Sequence, residues 1–90
     1  VAADPRYADP YSELGLGYLR LGQQQKAEEA LRRCLELDPE HYLGNLHLLM
    51  LYSRTKDPRR AAQQERFDEL KKRRAEQAAD FIRPVEIRPY

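Results

Sequence analysis

The 90-residue chain has no tryptophan, one methionine, one cysteine and four glycines. The single cysteine, Cys34, excludes an internal disulfide and a cysteine zinc site. A lone thiol leans towards a reducing compartment but is tolerated in any. No apolar run reaches the roughly 18 to 20 residues a membrane span needs. The opening VAADPRYADP has neither the basic nor the apolar region of a secretory signal. Val1 stands where a complete chain would start with methionine, so the expectation is a piece of something longer. The compartment stays open, cytoplasmic or periplasmic. An excess of either charge is missing too: the formal net charge is +1, which does not mark the chain as a whole for nucleic acid or membrane surfaces. Charged residues at 34% and hydrophobic ones at 41% are polar for a globular domain yet short of a disordered composition. The length allows one small domain with a thin core.

What the sequence does contain is repetition. At an offset of 34, Asp4-Pro5 falls on Asp38-Pro39, Leu14 on Leu48, Tyr18 on Tyr52 and Ala27 on Ala61. Helical spacing runs through the same region. Asp9 and Pro10 read as a cap and a first turn. Tyr11, Leu14, Gly15, Tyr18 and Leu19 then share one face, and Gly22 supplies the stop. Ala27, Ala30, Leu31, Cys34 and Leu35 line a second helix that ends at Asp38-Pro39. A third is predicted from about His41 to Thr55, and a longer fourth from Asp57-Pro58 to about Ile82. No earlier stretch alternates as a strand. The predicted fold class is all-α.

Gly15, Gly17 and Gly22 do not form a phosphate loop. They follow a helical pattern rather than a strand, their spacing is wrong for a dinucleotide fingerprint, and no Gly-Lys-Ser/Thr is present. Gly15 instead fits a close helix crossing, where the missing β-carbon lets backbones approach.

Tyr11, Leu14, Gly15, Tyr18, Ala27, Leu31, Cys34 and Pro39 have the residue types and gaps of a known consensus. In them the chain resembles the tetratricopeptide repeat, with Tyr11 in place of the usual tryptophan and Cys34 in place of alanine. The resemblance implies helix-turn-helix units stacked as a short right-handed α-solenoid, with first helices lining a concave surface. It divides the chain into the tail of a preceding repeat (1–7), a well-formed repeat (8–41), a divergent repeat with an elongated capping helix (42–82) and an extended tail (83–90). The divergent unit has Leu49 for the glycine, Glu65 for a large apolar residue and no closing proline. The tail IRPVEIRPY resembles the ends of some bacterial extracytoplasmic members, a lean towards a bacterial origin.

The family implies a scaffold for protein–protein interaction, with no cofactor and no catalysis. Helix three, HYLGNLHLLMLYSRT, has almost no polar face, so it is expected to be buried all round. By register, Leu16, Leu19, Leu43, Leu46 and Met50 face the groove or its edge. There they hold a partner's helix or extended segment, or are covered by the chain itself. Asp9, Arg20, Asn45 and Arg54 are placed to add polar contacts. The family's carboxylate clamp is not present at Ser12, Leu16, His47 and Met50. His41 and His47, six residues apart, do not share a helix face and read as surface or loop histidines rather than metal ligands. Cys34 reads as core, and no Ser-His-Asp set stands out.

Two other functions stay open. Uncovered apolar ends favour self-association into a homo-oligomer. The fourth helix and its approach carry Arg54, Lys56, Arg59, Arg60, Arg66, Lys71, Lys72, Arg73 and Arg74, a cluster able to bind nucleic acid or another anionic surface. Interspersed acids and the lack of an aromatic ladder favour a solvated cap instead. In that cap Phe67, Leu70, Ala75, Ala78 and Phe81 form the buried stripe.

Overall fold

The computed structural model describes residues 5–82, with side chains from Arg6 to Ala78. A 3-10 turn, Pro5–Tyr7, leads into α1 (Ala8–Arg20), α2 (Gln24–Leu37), α3 (Tyr42–Arg54) and α4 (Arg60–Ile82). No strand occurs among the described residues. The expected tail 83–90, the first four residues and the Phe81 side chain lie outside them.

Both hairpins turn by the same device, 34 residues apart. At the end of α1, Gly22 N–H donates to Leu19 O (3.1 Å) and Gln23 N–H to Tyr18 O (2.9 Å). This pair of reverse bonds satisfies carbonyls that the helix leaves open, and it needs a left-handed residue. Gly22 supplies it with φ +78°. At the end of α3, Lys56 N–H donates to Ser53 O (3.3 Å) and Asp57 N–H to Tyr52 O (2.8 Å), and Lys56 itself takes φ +55°.

Start signals are less regular. Asp9 does not cap α1. The 3-10 turn feeds straight into a helix beginning at Ala8, Tyr7 makes no side-chain cap, and Asp9 sits inside the first turn. A side-chain cap forms at α3, where His41 Nδ1 accepts from Gly44 N–H at 2.9 Å, and Asp57 Oδ1 accepts from Arg59 N–H at 2.8 Å just before α4.

Helix α1 packs on α2, α3 lies against both, and α4 packs on α3. A β-carbon on Gly15 would fall 2.5 Å from Leu31 Cδ2, so the Leu31 side chain of α2 seats directly on the α1 backbone. Gly44 does the same for α2 and α3, with Cys34 Sγ 2.7 Å from its absent β-carbon. Burial pushes the Cys34 thiol up to about 11, so it stays protonated and inert, as expected of a core residue. Leu19, Ala27, Leu31, Leu48, Leu51 and Tyr52 form the core, each buried leucine contributing on the order of 2 kcal/mol.

Two expectations are corrected. Helix α3 is not buried all round: Leu43 is 48% and Met50 40% exposed, because α1, α2 and α4 cover its other sides and leave a seam. The α4 stripe ends early. Phe67 and Leu70 are buried, whereas Ala75 and Ala78 are exposed. Helix α4 has 23 residues against 13 in α3, so its C-terminal part extends about 15 Å past α3.

Candidate partner-binding surface

The seam on α3 holds Leu43, Leu46 and Met50, at offsets of three and seven residues along one helix face. Leu46 is half-buried between its two exposed neighbours. A cleft opens at each end. The larger, about 690 Å³, has Tyr42, Leu43 and Leu70 among its lining, acids Asp9, Asp38 and Glu40 on one side, and Arg73, Arg74 and Gln77 from the α4 overhang on the other. Arg73 bonds Glu40 at 2.7 Å and Arg74 lies 4.2 Å above the Tyr42 ring, which ties the overhang to the α2–α3 turn. The smaller, about 460 Å³, is lined by Leu19, Leu49, Met50, Ser53, Arg54 and Gln64.

The residues expected at the groove divide three ways. Leu43, Leu46 and Met50 line the seam, and Leu16 is half-buried on α1 against the core. Leu19 is only 1% exposed; it forms part of the floor of the smaller cleft and belongs to the core. Asn45 is withdrawn from any groove altogether. Its Nδ2 donates to Pro39 O (3.1 Å) and His41 O (2.8 Å), and its Oδ1 accepts from Gln63 Nε2 (3.0 Å) and Arg66 Nε (3.2 Å). With its bonding capacity spent, Asn45 joins the α2–α3 turn to α4 and has none left for a partner.

The charged candidates are largely engaged as well. Arg54 donates to Leu19 O at 2.7 Å, closing the end of α1. Asp9 receives the His41 Nε2–H. His41 Nδ1 accepts on one side of the ring and Nε2 donates on the other, so one imidazole serves both helices. Arg20 is exposed.

His47 is the larger correction. It is no surface histidine; it is buried between α1 and α3 beside Ser12. Its Nδ1 lies 3.1 Å from Ser12 Oγ and 3.2 Å from the Ser12 carbonyl. A carbonyl only accepts, so Nδ1 carries the proton and the ring donates. Burial pushes the His47 pKa down, with His41 and Arg20 adding to the effect. A Ser–His contact invites a catalytic reading, but a general base needs an unprotonated nitrogen facing the hydroxyl, and a nucleophile needs access. Here the facing nitrogen is the protonated one and Ser12 is 1% exposed. Side-chain types alone do not announce this pair; the 34-residue register could have, since it sets the α1 and α3 faces side by side.

Most cations at the start and along the basic face of α4 make contacts within the molecule, two of them as ion pairs. Arg59 bonds Glu28 Oε2 (3.0 Å) and Asp57 Oδ2 (2.8 Å), holding the Asp57 carboxyl down to about 2. Arg66 donates to Pro39 O at 2.7 Å, Arg60 to Ser53 Oγ at 2.9 Å, and Lys71 lies over Phe67. Among the described residues no His/Cys/Asp/Glu group is arranged to hold a metal ion, and no helix is long and apolar enough to cross a membrane.

Comparison with known proteins agrees with this architecture. The sequence profile of the tetratricopeptide repeat matches residues 8–41. Type IV pilus assembly protein PilF of Pseudomonas aeruginosa is 34% identical over 58 residues, which are 64% of this chain and 23% of that protein. The matched region therefore spans about a quarter of the relative's length. No solved structure matches.

Proposed function

We propose a binding role that proceeds from the family: this is a tetratricopeptide-repeat chain, its repeat lying at residues 8–41, and such repeats are in general protein–protein interaction modules. The proposed partner element is an apolar helix or extended segment of another protein, laid along α3 with its ends in the two clefts. The observation that carries this reading is the stripe Leu43, Leu46 and Met50, with apolar side chains facing solvent along a helix whose other faces are packed. Apolar anchors at this spacing suit helix-in-groove recognition, and polar groups at the cleft rims suit orientation. The role is binding rather than catalysis, because the described hydrogen-bonded groups serve packing. The relative named for type IV pilus assembly supports a module that holds proteins together while a larger structure is built. A protein partner is favoured over nucleic acid by the ion pairs of Arg59 with Glu28 and Asp57 and of Arg73 with Glu40, which leave less positive charge for phosphates.

A photo-cross-linking residue placed at Leu43, and separately at Met50, tests this in the producing cell. The same partner should be captured from both sites, not from Arg32 on the far surface, and capture should be lost when Leu46→Asp is added. Equal capture from Arg32, or none from either site, would reject the groove. Retained helicity of the Leu46→Asp chain by circular dichroism separates lost binding from lost folding.

A further inference from the structure

Resting on the groove reading above, we propose that His47 selects what the groove holds: its Nε2 accepts a hydrogen bond from a backbone N–H of the bound segment, which makes the occupant an extended strand rather than a helix. His47 is only 7% exposed. Its bonds all fall on Nδ1, which donates to the Ser12 carbonyl. Nε2 is therefore the unprotonated nitrogen, with a lone pair to offer. Burial, with His41 and Arg20 adding to it, lowers the His47 pKa and keeps that lone pair free near neutral pH. Among the described residues, no side-chain nitrogen or oxygen that is shut off from solvent lacks a partner. Nε2 has no partner, so it reaches solvent although nearly all of the residue is covered.

The helix sets where that solvent lies. Leu43 and Met50 stand one turn to either side of His47 on α3, and both are exposed. Leu48 and Leu51, on its other flank, are buried in the core. The open side of His47 is thus the seam, between the cleft at Leu43 and the cleft at Met50. One acceptor stands in an otherwise apolar stripe. A partner laid over it must bring a donor, because an acceptor covered without one loses its water and gains no bond. An α-helix spends its N–H groups on itself, apart from those of its first turn. An extended segment leaves a row of N–H groups along each edge, free for a neighbour. The chemistry is the reverse of a carboxylate clamp, in which donors of the groove hold acceptors of the partner.

The probe is a synthetic peptide of the segment cross-linked at Leu43 and Met50, with each amide replaced in turn by an ester to remove one N–H. One ester position should weaken binding to the full chain about tenfold, and His47→Asn should weaken binding of the unmodified peptide by about as much. Against His47→Asn the sensitive ester should have no further effect. Asparagine keeps a donor for the Ser12 carbonyl and has no atom in the place of Nε2, so helicity and thermal midpoint should stay near those of the parent. Should that variant not fold, the imidazole ¹⁵N signals of the parent decide: the Nε2 signal should shift with the peptide and not with the sensitive ester. An ester series without a sensitive position, a position equally sensitive in His47→Asn, or an Nε2 signal that does not move overturns the proposal. A flat series combined with weak binding by His47→Asn would assign the donor to a side chain, and the extended strand would be wrong. Failure to capture any segment at Leu43 or Met50 removes the groove itself and this role of His47 with it, whereas capture with a flat series removes the role alone.

Discussion

His47 and Asn45 show how much one polar side chain does in a core this thin. Asn45 satisfies groups on the α2–α3 turn and on α4, so both helices of the second hairpin depend on it. His47 joins α1 to α3 as a neutral donor, with Ser12, His41 and Arg20 the groups around it. Its folded pKa lies below the usual value near 6.5, so the unfolded chain takes up the proton first. The His47 contribution is whole above pH 6.5 and shrinks as pH falls through that value towards the lower folded one. Urea unfolding at pH 7.5 and pH 5.0 should show this loss, and His47→Gln should remove that part of the pH dependence. An unchanged slope in His47→Gln would place the acid sensitivity elsewhere.

The helices differ most in how they end. The same carbonyl-closing turn follows α1 and α3, but glycine occupies the left-handed position in one and Lys56 in the other. A side chain there costs about 1 kcal/mol. Lys56→Gly should raise the unfolding free energy by about that amount in denaturant melts, with no change of fold. A loss instead would mean that the Lys56 side chain is contributing more than its backbone costs. Gly15 and Gly44 have the opposite requirement, because their backbones are pressed against Leu31 and Cys34 and leave no room for a methyl group.

For the molecule as a whole, stability is unevenly spread. The joint between hairpins has an apolar core, whereas the α4 overhang is held by Arg73 to Glu40 and by Arg74 over Tyr42. An exposed ion pair contributes less than about 1 kcal/mol. Amide hydrogen exchange should therefore show strong protection from Gln63 to Leu70 and a fall within two turns after it. Uniform protection to Ala78 would mean that the overhang is covered in solution. This matters for binding, because the overhang forms one wall of the larger cleft and a partner seated there would order it.

Residue order alone sufficed for the helix count, the approximate ends, the inward face of α2 and the close crossing at Gly15, because helical period, caps and proline effects act within a few positions. The Leu43, Leu46 and Met50 stripe was legible for the same reason, once the repeat placed α3 beside α1. The fates of Leu19, Asn45 and His47 were not. Each is set by what lies across the interface, as with the Ser12–His47 and Asn45–Gln63 bonds, which join residues distant in sequence. A leucine or histidine has the same local signature whether water or another helix stands opposite. Only the packed structure determines which one does.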